Sequence, residues 1–485
     1  METKKIYVAL GDSLADARTY LGKDWTSYPM YFHNWLVDSK ALSDSTLIND
    51  AIGGYKTIEV MNDVTYNPIV REDIKKANII TISIGGNNII QCALHGLVEQ
   101  GYMDENMNPI ISSPMDIFKM VNILNQSLTN KDSADYKYYI HDVKDHFVKI
   151  LTEIRKLNAD AEIYLAPIYV AKDTTTGRKY LKAILGNNAL MAQMFEAPVH
   201  SAAMEIQSYA RQAIANVDKC YYVDTDELCN ADYLQYNKYG QADVHPVEAG
   251  QLKMAECFKT AFLSVHPDKD KANVKISNRV DTSIFPAVNL DMSSPSGLTT
   301  KDTDTTLMQN LSIENNALKL SVVKGMGAKV MSVQAVINKR VEYRLKPCKA
   351  KGIASAISHF NYYDNSELII RFNGVETDKL WVAIGNAMTG EYEGRYIPLG
   401  FDASLDYHYY GVDYTEDDVK IIVDGKTYST GFKKPALFTR TGGINVILSA
   451  EVAEWLKTEY DASKNHATYV DSMRELKKED KFTTV

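Results

Sequence analysis

The run Asn78-Ile79-Ile80-Thr81-Ile82-Ser83-Ile84 shows none of the polar and apolar alternation that would give a strand one wet face. A continuous, β-branched run of this kind is buried on both sides, as in a parallel sheet covered by helices. It ends in Gly85-Gly86-Asn87-Asn88, a polar turn at the carboxyl edge of the sheet, where open α/β folds bind their ligands. A second apolar run, Lys5-Ile6-Tyr7-Val8-Ala9-Leu10, passes straight into Gly11-Asp12-Ser13-Leu14 and brings Ser13 to the same edge. Between and beyond these strands we read a helical stretch through about Asp38, a short strand near Thr46 to Ile48 closed by the Gly53-Gly54 turn, and a helix near Ile69 to Lys76. A long helix over Tyr136 to Leu157, a strand over Ala161 to Pro167, a helix from about Pro198 to Ala215 and a strand at Cys220 to Asp224 follow. Strands alternating with helices predict a doubly wound α/β fold with a parallel sheet. Residues 89 to about 135 are too many for a βα connection and are expected to form an insertion that roofs the edge.

At 485 residues the chain needs two or three cores. The segment His266-Pro267-Asp268-Lys269-Asp270-Lys271 is polar and charged, as a linker is. Beyond it the helical periods give way to short β-rich runs: Ala317 to Val323, Arg340 to Leu345, Ser366 to Phe372, Lys379 to Ile384, and Val419 to Val423 closed by Asp424-Gly425. Strands at this spacing predict a β-sandwich. The expected organisation is an α/β domain over 1–265, a linker over 266–274 and a sandwich over 275–485.

A net charge of −9 with no Lys/Arg-rich run argues against a nucleic-acid partner, and no apolar stretch is long enough for a membrane span. Met1 to Lys5 leads directly into a strand, with no signal-peptide pattern. The five scattered cysteines form neither a disulfide framework nor a zinc spacing. Ser13 has the place of a nucleophile, but a serine hydroxyl needs a base within hydrogen-bond reach and donors aimed at the developing oxyanion. Asp243-Val244-His245-Pro246 supplies a base, His245, with a carboxylate two residues away that can fix its tautomer. Taken singly, Gly-Asp-Ser also reads as a helix cap and Asp-x-His as a loop.

In combination and in order, Gly11-Asp12-Ser13-Leu14, Gly53-Gly54, Gly85-Gly86-Asn87 and Asp243-Val244-His245-Pro246 resemble the GDSL-type SGNH hydrolases, over about residues 4 to 262. The resemblance implies a flavodoxin-like hydrolase fold with Ser13 as nucleophile, His245 as base and Asp243 as its partner. The oxyanion donors it implies are the backbone N–H groups of Ser13 and Gly54 and the side-chain amide of Asn87, with no metal or cofactor. Ala51 stands where that family commonly has glycine, and Asn88 where it has aspartate.

In the second half, Val341-Glu342-Tyr343-Arg344-Leu345-Lys346-Pro347, the runs 399–404 and 407–414, Val423-Asp424-Gly425-Lys426 and the run 467–472 are similar, in family order, to the lichenase/laminarinase jelly rolls of glycoside hydrolase family 16. The resemblance implies a concanavalin-like jelly-roll sandwich. That family's catalytic strand reads Glu-x-Asp-x-Glu, and the stretch here is Glu367-Leu368-Ile369-Ile370-Arg371. One carboxylate is kept at Glu367, while Ile369 and Arg371 replace the other two acids. A retaining glycosidase needs two carboxyl groups, and an arginine cannot protonate a leaving oxygen. Glu367 and Arg371 are therefore read as a possible glycan cleft, or as a leftover acid facing a cation.

The function expected is that of a serine esterase deacetylating a polysaccharide, acting on an acylated glycan or small ester, with a glycan-binding or structural sandwich behind it. One rival is a lipid or short-chain acyl esterase with residues 89–135 as an apolar lid. The other is a glycan-binding protein whose esterase half is vestigial. The glycosidase-like half points to a secreted or cell-surface setting, and oligomeric state is not legible.

Overall fold

Strand β3 (Ile79–Ile84) is buried at all six positions, as a run with no polar face requires. The Thr81 hydroxyl bonds the Tyr7 hydroxyl at 2.8 Å, and the Ser83 backbone carbonyl accepts the Asp12 amide at 3.0 Å. The computed structural model describes residues 5–16, 27–103, 110, 112–173, 175–177, 179, 189–230, 245–272, 274–276, 289–291, 298–299, 310–332, 340–361, 366–387, 389–415, 418–432, 445–453, 460–461, 463–477 and 480–484. By its contacts the chain divides into two units, the first within residues 1–281 and the second over 282–485, with Tyr66–Asp73 counted in the second.

In the first unit β1 (Lys5–Gly11), β2 (Ser45–Asn49), β3, β4 (Glu162–Pro167) and β5 (Cys220–Tyr222) form one parallel sheet in the order β2-β1-β3-β4-β5. The order reverses beside β1, so the carboxyl ends of β1 and β3 flank the crevice where such sheets take ligands. The helix Tyr28–Asp38 lies against the helix Glu248–Val265. Tyr28 stacks on Phe258 at 4.5 Å, and its backbone N–H donates to Gln251 Oε1 at 2.9 Å. The chain just after His245 is thereby fixed to the core.

Several expectations are refined. The helix Thr57–Tyr66 was not expected, and the helix expected near Ile69 is Pro68–Lys76. The described residues of 89–135 are largely helical, the helix Gly86–Glu99 packing on the helix Pro114–Thr129. The long helix expected from Tyr136 is interrupted by a π-turn at Lys137–His141 before it continues as Val143–Leu157. Pro198 does not start its helix but sits inside Ala189–Ile214. The stretch expected to link the halves holds a 3-10 turn at Pro267–Ala272, and its Val274 carbonyl accepts from Trp35 Nε1 at 2.9 Å and Lys259 Nζ at 3.0 Å.

The second unit is a sandwich of two antiparallel sheets. One has the order β15 (Glu391–Pro398), β14 (Glu376–Asn386), β13 (Ser366–Asn373), β12 (Ile353–Phe360), β19 (Asn445–Val452), β10 (Ala328–Ser332), β7 (Leu298–Thr299). The other has the order β18 (Lys426–Ser429), β17 (Val419–Val423), β16 (His408–Tyr414), β11 (Arg340–Lys346), β20 (His466–Glu475), β9 (Ala317–Val322), β8 (Leu311–Glu314), with β6 (Asn289–Asp291) paired to β20. Alternate residues of both sheets, among them Leu368, Ile370 and Phe372 on β13 and Tyr343 and Leu345 on β11, fill the core between them. His359 is buried in that core between the hydroxyls of Tyr343 and Tyr414, with Nδ1 2.8 Å from the latter.

Candidate active site

The turn after β1 is built by Gly11 and Asp12. Gly11 has φ +137°, and a Cβ there would stand 2.1 Å from the Ser83 carbonyl oxygen, so the two strands come this close only because the residue is glycine. Asp12 then closes the turn: its Oδ1 accepts the Leu14 N–H at 3.0 Å, while its carbonyl accepts from Ala15 and Asp16. Ser13 stands at the top of this turn, half-buried. Its Oγ lies 2.9 Å from His245 Nε2, across 232 residues of chain. Asp243 lies outside the described residues.

The second loop follows β2. Asp50 N–H and Ile52 N–H bond the carbonyls of Ala9 and Gly11, carrying the parallel ladder into the turn. Gly54 there has φ +89°, a conformation that L side chains resist. Asp16 Oδ2 accepts the Gly53 N–H at 2.8 Å, and Asn49 Nδ2 donates to the Ala15 carbonyl at 3.0 Å. The Ser13 turn and the Gly53-Gly54 turn thus hold each other. Asn87 opens the helix after β3, and its Nδ2 donates to the Tyr55 carbonyl at 3.0 Å, which ties it to the loop that carries Gly54. An amide nitrogen has two hydrogens, and this bond uses one of them.

Asn88 is buried and fully engaged. Its Oδ1 accepts the Thr57 N–H at 3.1 Å, and its Nδ2 donates to Thr57 Oγ1 at 3.2 Å and to the Tyr139 carbonyl at 2.8 Å. Tyr139 lies in the π-turn. An aspartate could not serve both the donor and the acceptor roles here, which gives the departure at this position a structural reason. Ala51 is completely buried, so the methyl group is accommodated.

Asp12 is only 2% exposed, and that burial pushes its carboxyl up to about 7, with Asp16 adding repulsion and the Leu14 N–H opposing it. Asp16, Asn49 and Tyr55 were missed by sequence reasoning, and Asp12 entered it only as part of the Gly-Asp-Ser motif. The polar pair Asn49-Asp50 at a strand end is the faint signal that could have found one of them. Elsewhere in this unit His95, Glu99 and Asp135 bring ligand atoms within 4.8 Å of one another. An imidazole–carboxylate pair at 3.0 Å between His95 Nδ1 and Asp135 accounts for the group.

On β13 the face opposite the core carries Glu367, Ile369 and Arg371. Arg371 does not meet Glu367. Its guanidinium lies over the Trp381 ring, 4.1 Å from the centroid, on the neighbouring strand, while Glu367 Oε2 accepts the Tyr392 hydroxyl at 2.7 Å.

Comparison with known proteins agrees with both halves. The sequence profile of the glycosyl hydrolases family 16 matches residues 299–465. Beta-glucanases of Bacillus subtilis (strain 168) and Bacillus amyloliquefaciens are 32% and 31% identical over 145 and 143 residues, each 28% of this chain and 57% and 58% of theirs. The chain therefore spans little more than half the length of these curated relatives. The solved structure of Bacillus licheniformis beta-glucanase aligns at 23% identity and a TM-score of 0.30, over 35% of this chain and 83% of that one. The profile of the GDSL-like lipase/acylhydrolase family matches residues 9–253, half of the chain, and spans the Ser13 turn, Asn87 and His245. The chain belongs to the GDSL-like lipase/acylhydrolase family.

Proposed function

We propose that the chain is a carboxylic ester hydrolase in which Ser13 is the nucleophile, His245 the general base and Asp243 the residue that fixes the imidazole tautomer. The observation that carries this reading is the 2.9 Å approach of His245 Nε2 to Ser13 Oγ, hydrogen-bond reach for taking a proton from the attacking hydroxyl. Ser13 Oγ attacks the ester carbonyl while Nε2 takes its proton, then returns it to the departing alcohol. Water, deprotonated by the same imidazole, attacks the acyl-serine, and the imidazole returns that proton to Ser13 Oγ as the acid departs. The oxyanion of each step is held by the N–H groups of Ser13 and Gly54 and by the remaining Asn87 amide hydrogen. One such donor contributes about 10²–10³ in rate.

The substrate class we propose is an acetylated or similarly acylated polysaccharide, supported by the family 16 match and the beta-glucanase relatives of the second unit. That unit we propose to be without glycosidase activity. Arg371 stands in the proton-donor position and stacks on Trp381, so the outer face of β13 offers Glu367 no second carboxyl for a retaining mechanism. Glu451 on β19, whose carboxyl is pushed up by burial, feels the charges of both Arg371 and Glu367. One observation favours a second reading, hydrolysis of longer acyl chains: Met115 and Phe118 on the helix Pro114–Thr129 are 63% and 62% exposed, an apolar face for a lipid tail.

The test is acetate and reducing-end release from a panel of acetylated xylans and glucans, beside aryl esters of increasing chain length. Acetate release that vanishes in Ser13→Ala, with no new reducing ends, is the expected result. Preference for long acyl chains would move the substrate to lipid, and reducing ends would overturn the silent sandwich.

A further inference from the structure

The sheet that does not carry Glu367 holds a cavity of about 350 Å³ on its outer face, within the size range of small-ligand sites. Its direction follows from strand alternation. Tyr343 and Leu345 of β11 and Val470 of β20 enter the core, so Arg344, Lys346, Tyr469 and Asp471 point away from it. The register places Lys319, Tyr469 and Lys346 side by side across β9, β20 and β11. The β8–β9 turn closes one side, with Asn315 and Asn316 both at positive φ between Glu314 and Ala317. That is the two-residue hairpin geometry asparagine favours, and it sets Asn315 at the rim of the cavity.

The charges pair unevenly. Lys319 is matched by Glu314 at 2.7 Å and Arg344 by Asp471 at 3.1 Å. Lys346 has no carboxylate at ion-pair distance among the described residues. Its ammonium lies instead 5.4 Å from the Tyr407 ring centroid and 5.3 Å from that of Tyr469, close enough for both rings to hold it. The lining itself holds two cations, Arg344 and Lys346, and two carboxylates, Glu314 and Asp471. With Glu314 taken by Lys319 and Asp471 by Arg344, the Lys346 ammonium is left between two aromatic walls, and Arg344 has N–H donors beyond those that face Asp471. A ligand that fits needs a carboxylate for Lys346 and Arg344, a ring whose C–H face covers a tyrosine, and hydroxyls for Asn315 and the acids.

We propose that this cavity binds a uronate residue of a polysaccharide, on the sheet opposite the one that carries the family 16 strand. The site anchors acidic glycans independently of the chemistry at Ser13. Affinity electrophoresis of the full chain in gels containing soluble glucuronoxylan tests it, beside gels with the carboxyl-reduced polymer and with dextran sulfate. Retardation by glucuronoxylan alone is expected, weakened about tenfold by Lys346→Ala, the scale of one charge-assisted hydrogen bond. Tyr469→Ala should weaken it as well, and Lys346→Gln provides a second, milder variant. Matching circular dichroism and melting confirm that each variant is folded. Absence of retardation, equal retardation by the carboxyl-reduced polymer or dextran sulfate, or a Lys346→Ala chain retarded like the wild type would each overturn the assignment. The assay reads no hydrolysis, so its outcome is separable from the role of Ser13.

Discussion

Asn88→Asp restores the residue common in the family and, on this structure, should damage the protein in a pH-dependent way. The amide serves three contacts in a site that is 1% exposed. The carboxylate keeps the acceptor role toward the Thr57 N–H but loses both donor roles, which leaves the Tyr139 carbonyl facing an oxygen 2.8 Å away. An unpaired buried acceptor costs about 1–3 kcal/mol. Burial and the facing carbonyl also raise the carboxyl pKa in the folded state above its value of about 3.9 in the unfolded chain. The protonated acid can donate to Tyr139, so the cost is smallest below pH 4. It grows by about 1.4 kcal/mol per unit as pH rises through the window up to the raised value. A loss of about 3 kcal/mol at pH 8 and about half of that at pH 5 is expected. Urea unfolding followed at 222 nm measures it, because nearly all described helix lies in the first unit. A variant as stable as the wild type at pH 8, or a loss independent of pH, would refute this account of Asn88 as the donor that holds the π-turn.

Gly11→Ala should be more severe, because the new methyl meets the Ser83 carbonyl oxygen at 2.1 Å in a backbone conformation that only glycine adopts freely. Loss of several kcal/mol or of soluble expression is expected, and an unchanged melting temperature would contradict it. Asn87→Ala should lower kcat toward aryl esters about 100-fold with little change in KM, as removal of an oxyanion donor does; a change confined to KM would make Asn87 a substrate-binding residue. In the second unit burial pushes His359 down to about 3, so between pH 6.5 and 3 the unfolded chain takes up a proton that the folded one refuses. Stability contributed by the neutral ring is complete above pH 6.5 and is lost as pH falls through that window. His359→Gln should flatten the unfolding free energy against pH by about 1.4 kcal/mol per unit there, and equal slopes would show that the ring is not the group refusing the proton.

The strands that position Ser13 and Asn87 were legible because a fully apolar run ending in a glycine turn has few places to go but the middle of a parallel sheet. The sharing of one face by Glu367, Ile369 and Arg371 followed likewise from the period of a strand, and the inward set Leu368, Ile370 and Phe372 bears it out. What sequence reasoning missed depends on contacts between distant segments. Asn88 reaches a carbonyl 51 residues away, and only because a π-turn presents it. The pairing of Arg371 with Trp381, instead of Glu367, is set by the register of β13 against β14. Pro198 misled the helix boundary because proline favours first turns, whereas here it sits within a 26-residue helix. The bond of Asp16 to Gly53 leaves no trace beyond an acid three residues after the nucleophile.

Labelling of the full chain with a fluorophosphonate, which esterifies an activated serine, tests the central assignment most directly. One adduct per chain is expected, mapped by peptide mass to Ser13, with aryl-ester hydrolysis lost in proportion to labelling and no adduct in His245→Ala. Hydrolysis that persists when Ser13 is fully modified, or an adduct on another serine, would contradict the account.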